Sequence, residues 1–170
     1  MSASAVIDSL EFARAEQELS GSLPVTGLKR LHDCLHDVTG QIDYEIRGGR
    51  DERNLPQLQV HITGSLQLQC QRCLGQLNYS VDVRNALLVV PRGAAQTEDI
   101  EDPEAPDSIE SDPELDVADL IEDELLLSLP LSPRHAEGAC ASGLHDISGD
   151  GRQESAFARL AALKDTGKKR

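Results

Sequence analysis

Residues 57–69 read QLQVHITGSLQLQ. Leu58, Val60, Ile62, Leu66 and Leu68 alternate with Gln57, Gln59, His61, Thr63, Ser65 and Gln67, the clearest period in the chain. Side chains of a strand point to opposite faces in turn, so a strict period of two predicts a strand with one face buried and one wet. Gly64 falls in the apolar row, where a missing side chain marks a bulge or a close backbone approach. The neighbours repeat the pattern. Ile42, Tyr44 and Ile46 alternate with Asp43, Glu45 and Arg47, and a turn follows at Gly48-Gly49-Arg50-Asp51. Leu77, Tyr79, Val81 and Val83 keep step before Leu87-Leu88-Val89-Val90, and Pro91 ends the run. Three such runs near 38–47, 57–69 and 77–90 with short connections predict an antiparallel meander, a sheet that could curl toward a barrel.

Helical spacing flanks this sheet. Residues 5–19 place Val6, Leu10 and Ala13 near one face with Phe12 beside them, and Leu28, Leu31 and Leu35 suggest a short helix over 26–36. Cys34, at its end, is read as a small core residue, and His32 and His36 as surface histidines. Val117, Leu120, Ile121 and Leu125 share a face of a helix near 116–128, with Asp116 as N-cap and Pro130 and Pro133 as its stop. Residues 155–164 suggest a last helix packing Phe157, Leu160 and Ala161, followed by a basic tail. The expected fold is α+β: an antiparallel sheet with flanking helices and a long acidic loop. Along the chain this divides into an N-terminal helical segment (1–36), the sheet (37–92), the acidic loop (93–114) and C-terminal helices with a Cys/His segment (115–170), packing as one domain.

Composition narrows the function. The chain has 170 residues, which allows one domain with tails, and a net charge of −14. Of its 30 acidic residues 14 lie between Glu98 and Glu124, where there is no Lys or Arg, and the other 16 match the 16 bases. The molecule is thus a neutral body with one acidic segment, which repels phosphate backbones and attracts basic proteins. Residues 93–114 carry too few apolar side chains to offset their ordering entropy and are expected to be a mobile loop. Phe12, Tyr44, Tyr79 and Phe157 are the only aromatics, which argues against a base-stacking RNA platform. No apolar run reaches the roughly 20 residues of a membrane helix, and the N-terminus lacks a secretory pattern, so the expected location is the cytoplasm.

The chemistry concentrates in the cysteines. Disulfides are disfavoured in the cytosol, so Cys70 and Cys73 in CQRCLG suggest metal or redox use. A turn between two strands would aim both thiolates at one spot, half of a tetrahedral zinc site. His135 and Cys140, in HAEGAC, could supply the other half, giving structural Zn2+ held by three sulfurs and an imidazole. A thioredoxin-like role fits poorly, because that pair should open a helix after a buried parallel strand. No nucleophile elbow, phosphate loop or dinucleotide fingerprint stands out. We therefore expect no enzyme, although a thiol- or metal-dependent one is the remaining alternative.

Taken together, CQRCLGQLNYSVDV (70–83), IEDELLLSLPLSPRH (121–135), a cysteine five residues later, and FARLAALK (157–164) resemble the YceD family, the large ribosomal RNA subunit accumulation proteins. The resemblance spans about residues 40–164. It implies a cytoplasmic protein needed for 23S ribosomal RNA to be made, processed or kept. Cys70, Cys73, His135 and Cys140 match the family's Cys/His pattern, and Glu122, Asp123 and Glu124 match its acidic triplet. The chain departs at RQESAF (152–157), where the family often has Asn-Pro, and this leaves the start of the last helix open. The expected function is that of a non-enzymatic ribosome-biogenesis factor acting on large-subunit precursors, through a basic ribosomal protein or an rRNA-processing factor. Glu122, Asp123 and Glu124 are the expected contacts, with Arg72 beside the metal site. A direct RNA-binding zinc module is the alternative, resting on Arg72, on Arg47, Arg50 and Arg53, and on the basic tail.

Overall fold

The computed structural model describes residues 5–93 and 107–140. Its centre is the predicted meander: β4 (Gln41–Arg50), β5 (Pro56–Gln69) and β6 (Gln76–Val90) are antiparallel neighbours. Ile42, Ile46, Leu58, Val60, Ile62, Leu66 and Leu68 are buried on one face, as the alternation requires. The β4–β5 turn is held by Asp51, whose carboxylate accepts from the N–H groups of Arg53 (2.9 Å) and Leu55 (2.7 Å). Gly64 pairs with Ile42 at a φ of 155°, and a Cβ there would lie 2.8 Å from the Ile42 Cδ1. The close approach suggested by the sequence is therefore real.

The sheet has six strands in the order β2-β4-β5-β6-β7, with β3 (Leu35–Asp37) also pairing to β5. It is open rather than a barrel, because β2 (Glu18–Pro24) and β7 (Ser108–Glu110) end the path without pairing. It is also mixed: β7 runs parallel to β6, and Ile109 packs against the core. This corrects part of the expected loop. Its residues 94–106 lie outside the described residues, but 107–114 are fastened, with Ser111 N–H donating to the Val90 carbonyl (2.7 Å) and Arg92 pairing with Asp112 (3.1 Å).

The N-terminal segment also differs from the expected two helices. Only α1 (Ser9–Arg14) is α-helical, capped by Asp8, which accepts from Glu11 N–H. Val6 and Ile7 form β1, paired with β8 (Leu115–Asp116). Glu16 turns the chain at φ 51°, and residues 18–24 become edge strand β2, paired along its length with β4. Tertiary pairing overrides a weak helical pattern here. Gly48 of β4 is the crossing point: a Cβ would enter the space of the Phe12 carbonyl oxygen, so α1 can lie directly on the strand only over glycine. Residues 25–27 and 29–34 are 3₁₀ turns, whose three-residue period sets Leu28 and Leu31 inward. Cys34 is exposed, not a core residue: the 3₁₀ turn ends there and the chain passes into β3, so the period of three that would turn it inward is not continued.

Helix α2 (Val117–Ser128) starts at Asp116, whose carboxylate accepts from Ala118 N–H (2.8 Å) and Asp119 N–H (3.3 Å), and it stops before Pro130. Val117, Leu120, Ile121 and Leu125 pack onto the same core as Phe12 and the strands. The helix expected at 155–164 lies outside the described residues. Among the described residues no helix is long and apolar enough to cross a membrane.

Candidate metal centre

The β5–β6 hairpin turns over Cys70–Gly75. Cys70 N–H donates to the Gly75 carbonyl (2.9 Å), and Leu74 N–H donates to the Cys70 carbonyl (2.8 Å), with Leu74 at φ 58°. This compact knuckle turns Cys70 inward, fully buried, and leaves Cys73 half-buried. After α2, Pro130 and Pro133 keep the chain from continuing the helix, and the Pro133 carbonyl accepts from Gln71 N–H (2.8 Å). That bond docks residues 133–140 on the knuckle, although they lie more than 60 positions away.

Docking unites the four sequence-selected donors. The Cys70, Cys73 and Cys140 sulfurs and a His135 nitrogen all lie within 4.8 Å of one another. The Cys70 and Cys140 sulfurs are 3.9 Å apart, and His135 Nδ1 is 3.4 Å from the Cys73 sulfur and 3.8 Å from that of Cys140. Around tetrahedral zinc, with Zn–S near 2.3 Å and Zn–N near 2.0 Å, the sulfur–sulfur edge is ~3.8 Å and the sulfur–nitrogen edge ~3.5 Å. These three distances match edges of such a tetrahedron, and the other three stay within 4.8 Å.

The imidazole is oriented for the task. His135 Nε2–H donates to the Gln76 carbonyl at 2.9 Å, which leaves Nδ1 with its lone pair facing the sulfurs. Such a bond to the remote nitrogen fixes both tautomer and ring angle of a metal-ligating histidine. Electrostatics agree. The backbone N–H of Cys73, foremost, and those of Arg72 and His135 point at the Cys70 sulfur and lower its pKa to about 5, against the opposing effect of burial. Burial, and then the neighbouring sulfurs of Cys73 and Cys70, push the Cys140 thiol up. Three thiols so close cannot all ionise unaided, and a divalent cation is what would let them. The donor set is soft sulfur with one imidazole, which suits zinc.

The structure places the expected contact residues less uniformly. Arg72 stands exposed on the knuckle, and Arg134, next to His135 in sequence, is exposed too. Glu122 is only 5% exposed: its Oε1 accepts from the N–H groups of Arg30 (2.6 Å) and Leu31 (3.3 Å), and its Oε2 from Arg30 Nε (3.0 Å). Glu124, 6% exposed, accepts from the Asn85 amide at 3.0 Å. Asp123 is the exposed member of the triplet and pairs with Arg30 at 2.6 Å. Sequence reasoning missed Arg30, Asn85 and the Gln76 carbonyl. One clue was available: position 124 lies on the same helical face as Leu120 and Ile121, and a carboxylate there needs a buried partner.

Comparison with known proteins points to one family. A family model described as the Large ribosomal RNA subunit accumulation protein YceD matches residues 58–165, more than half of the chain. The Large ribosomal RNA subunit accumulation protein YceD of Haemophilus influenzae is 25% identical over 164 residues, which cover 93% of this chain and 94% of that protein. No solved structure matches significantly.

Proposed function

The chain belongs to the YceD family, and from that premise we propose that it is a non-enzymatic factor in ribosome biogenesis, supporting the synthesis, processing or accumulation of large-subunit (23S) ribosomal RNA in the cytoplasm. The observation that carries this reading is the extent of the family match, which includes α2 and all four residues of the metal centre. The centre would hold structural Zn2+. Four protein donors complete a tetrahedron and leave no position for a substrate or a reactive water, as catalytic zinc requires. Its work is to clamp residues 133–140 to the β5–β6 knuckle, and so to fix the surface on which Arg72 and Arg134 stand. The contact with a basic ribosomal protein or processing factor falls to Asp123 and the acidic residues that precede α2.

The test is depletion of the protein in its own organism, with the 23S to 16S rRNA ratio measured. The ratio should fall and be restored by the wild-type gene but poorly by Cys73→Ser. An unchanged ratio would refute the reading. A second reading, a direct RNA-binding zinc module, draws on the two exposed arginines beside the centre. It predicts binding of large-subunit RNA by purified protein that weakens steeply with salt, because phosphate contacts release counterions.

A further inference from the structure

The three sulfurs of the metal centre are not held alike. Cys70 and Cys73 sit on the hairpin knuckle, which is fastened by Cys70 N–H donating to the Gly75 carbonyl (2.9 Å) and Leu74 N–H to the Cys70 carbonyl (2.8 Å). Cys140 lies outside any strand or helix, just after a turn in which Ala139 N–H donates to the Ala136 carbonyl (3.0 Å) and Gly138 takes a φ of 78°. Cys70 is fully buried, whereas Cys140 is half-buried and meets solvent. Their sulfurs are 3.9 Å apart. A disulfide needs about 2.05 Å, so a closure of ~2 Å joins the pair. The partner that can travel is Cys140, because no sheet ladder holds it.

We propose, resting on the zinc reading above, that Cys70 and Cys140 form an oxidation site for small peroxides: the two join as a disulfide, the zinc is released, and residues 133–140 stay fastened to the knuckle by a covalent bond in its place. The half-buried Cys140 sulfur attacks one peroxide oxygen. The O–O bond breaks, the sulfur becomes a sulfenic acid, and the departing hydroxide takes up a proton. The Cys70 thiolate then attacks that sulfur, the S–S bond forms, and the S–O bond breaks to give a second hydroxide, again protonated to water. Two thiolates, one peroxide and two protons thus become one disulfide and two waters, the sulfurs supplying both electrons. Disulfide sulfurs carry no charge and are poor zinc ligands, so only Cys73 and His135 remain as donors. Which pair forms decides the outcome. A Cys70–Cys73 bond would close on the knuckle itself and let the later segment go, whereas Cys70 and Cys140 are 70 positions apart, so their bond preserves the docking.

The test is titration of the full-length protein, purified with its metal, with hydrogen peroxide. Released zinc is read with a chromogenic chelator, and disulfides by peptide mapping with mass spectrometry. One zinc should leave for each disulfide formed, the linked peptides should be those of Cys70 and Cys140, and dithiothreitol with added zinc should restore the starting state. Cys73→Ser, read for the disulfide alone, should still form the same link; should that variant fail to fold, the wild-type map decides by itself. Zinc retained under an excess of peroxide would overturn the proposal. So would a Cys70–Cys73 link in place of the Cys70–Cys140 one, or sulfinic acid at Cys140 without a link. Protein that carries no zinc before peroxide is added would refute the centre itself, and the oxidation site with it, whereas the other adverse results leave the centre standing.

Discussion

Replacing Glu122 tests what joins α2 to the N-terminal half. Its carboxylate is buried and accepts from two backbone N–H groups, Arg30 and Leu31, and from the Arg30 guanidinium. Glu122→Ala leaves the Arg30 amide without an acceptor and the buried Leu31 amide with the Leu28 carbonyl alone, at 3.3 Å. An orphaned donor costs about 1–3 kcal/mol, and the charge-assisted bond from Arg30 Nε is lost with it, so the expected loss is about 2–4 kcal/mol. For a chain of this size, at about 3 °C per kcal/mol, that lowers the melting temperature by roughly 10 °C. Glu122→Gln keeps an oxygen at Oε1 but puts an NH2 in place of Oε2, so the bond from the half-exposed Arg30 guanidinium goes with the charge, and it should cost about 1–1.5 kcal/mol. Arg30→Ala removes a half-exposed side chain and leaves both amides satisfied, so it should be milder than Glu122→Ala. Urea unfolding of the three variants, read by circular dichroism, gives the ranking. If Gln and Ala prove equally harmful, or if Arg30→Ala is the worst, the carboxylate is acting as an ion-pair partner rather than as a cap on two amides, and the reasoning fails.

Other perturbations read other parts of the structure. Gly48→Ala should destabilise by about 2 kcal/mol or more through overpacking against Phe12, while Gly49→Ala, where a Cβ meets nothing within 4 Å, should stay within about 0.5 kcal/mol; thermal melts of the two neighbours compare them directly. Purified protein should contain close to one zinc per chain by elemental analysis, and Cys73→Ser should lower both zinc content and stability, since metal binding to such a site supplies on the order of 10 kcal/mol at neutral pH. His61, foremost, and Arg84 hold the Asp82 carboxyl below its usual pKa. Because the folded value is the lower one, the stabilisation is present above the unfolded pKa near 3.9 and lost as pH falls through the folded value. An NMR titration should place the Asp82 midpoint below that of a model peptide, and His61→Ala should move it up.

Legibility from the sequence followed the strength of the local pattern. β5 could be read because five apolar residues alternate without error over eleven positions, and Gly64 sits in the buried row where β4 approaches. β2 could not: only Leu19 and Leu23 mark its inner face, Gly21 and Pro24 interrupt it, and its strand character comes from pairing with β4. The N-cap of α2 was visible in Asp116, whereas its buried Glu122 looked like a surface acid, because a sequence shows charge but not the amides that satisfy it. The four cysteine and histidine donors were identifiable by residue type and spacing. The carbonyl of Gln76 that orients His135 was not, since a backbone oxygen has no sequence signature.

The parallel pairing of β7 with β6 has a consequence for the history of the chain. Leu88 N–H donates to the Asp107 carbonyl and Ser111 N–H to that of Val90, so the strands on either side of residues 94–106 are zipped side by side. The cost of joining those two ends depends only weakly on how many residues lie between them. Doubling that number adds only about 0.6 kcal/mol of closure entropy, and no strand or helix needs to shift to make room. Mutation can therefore lengthen, shorten or recharge this stretch almost independently of the scaffold. The number of carboxylates encoded there can change while the sheet and the cysteine knuckle stay as they are.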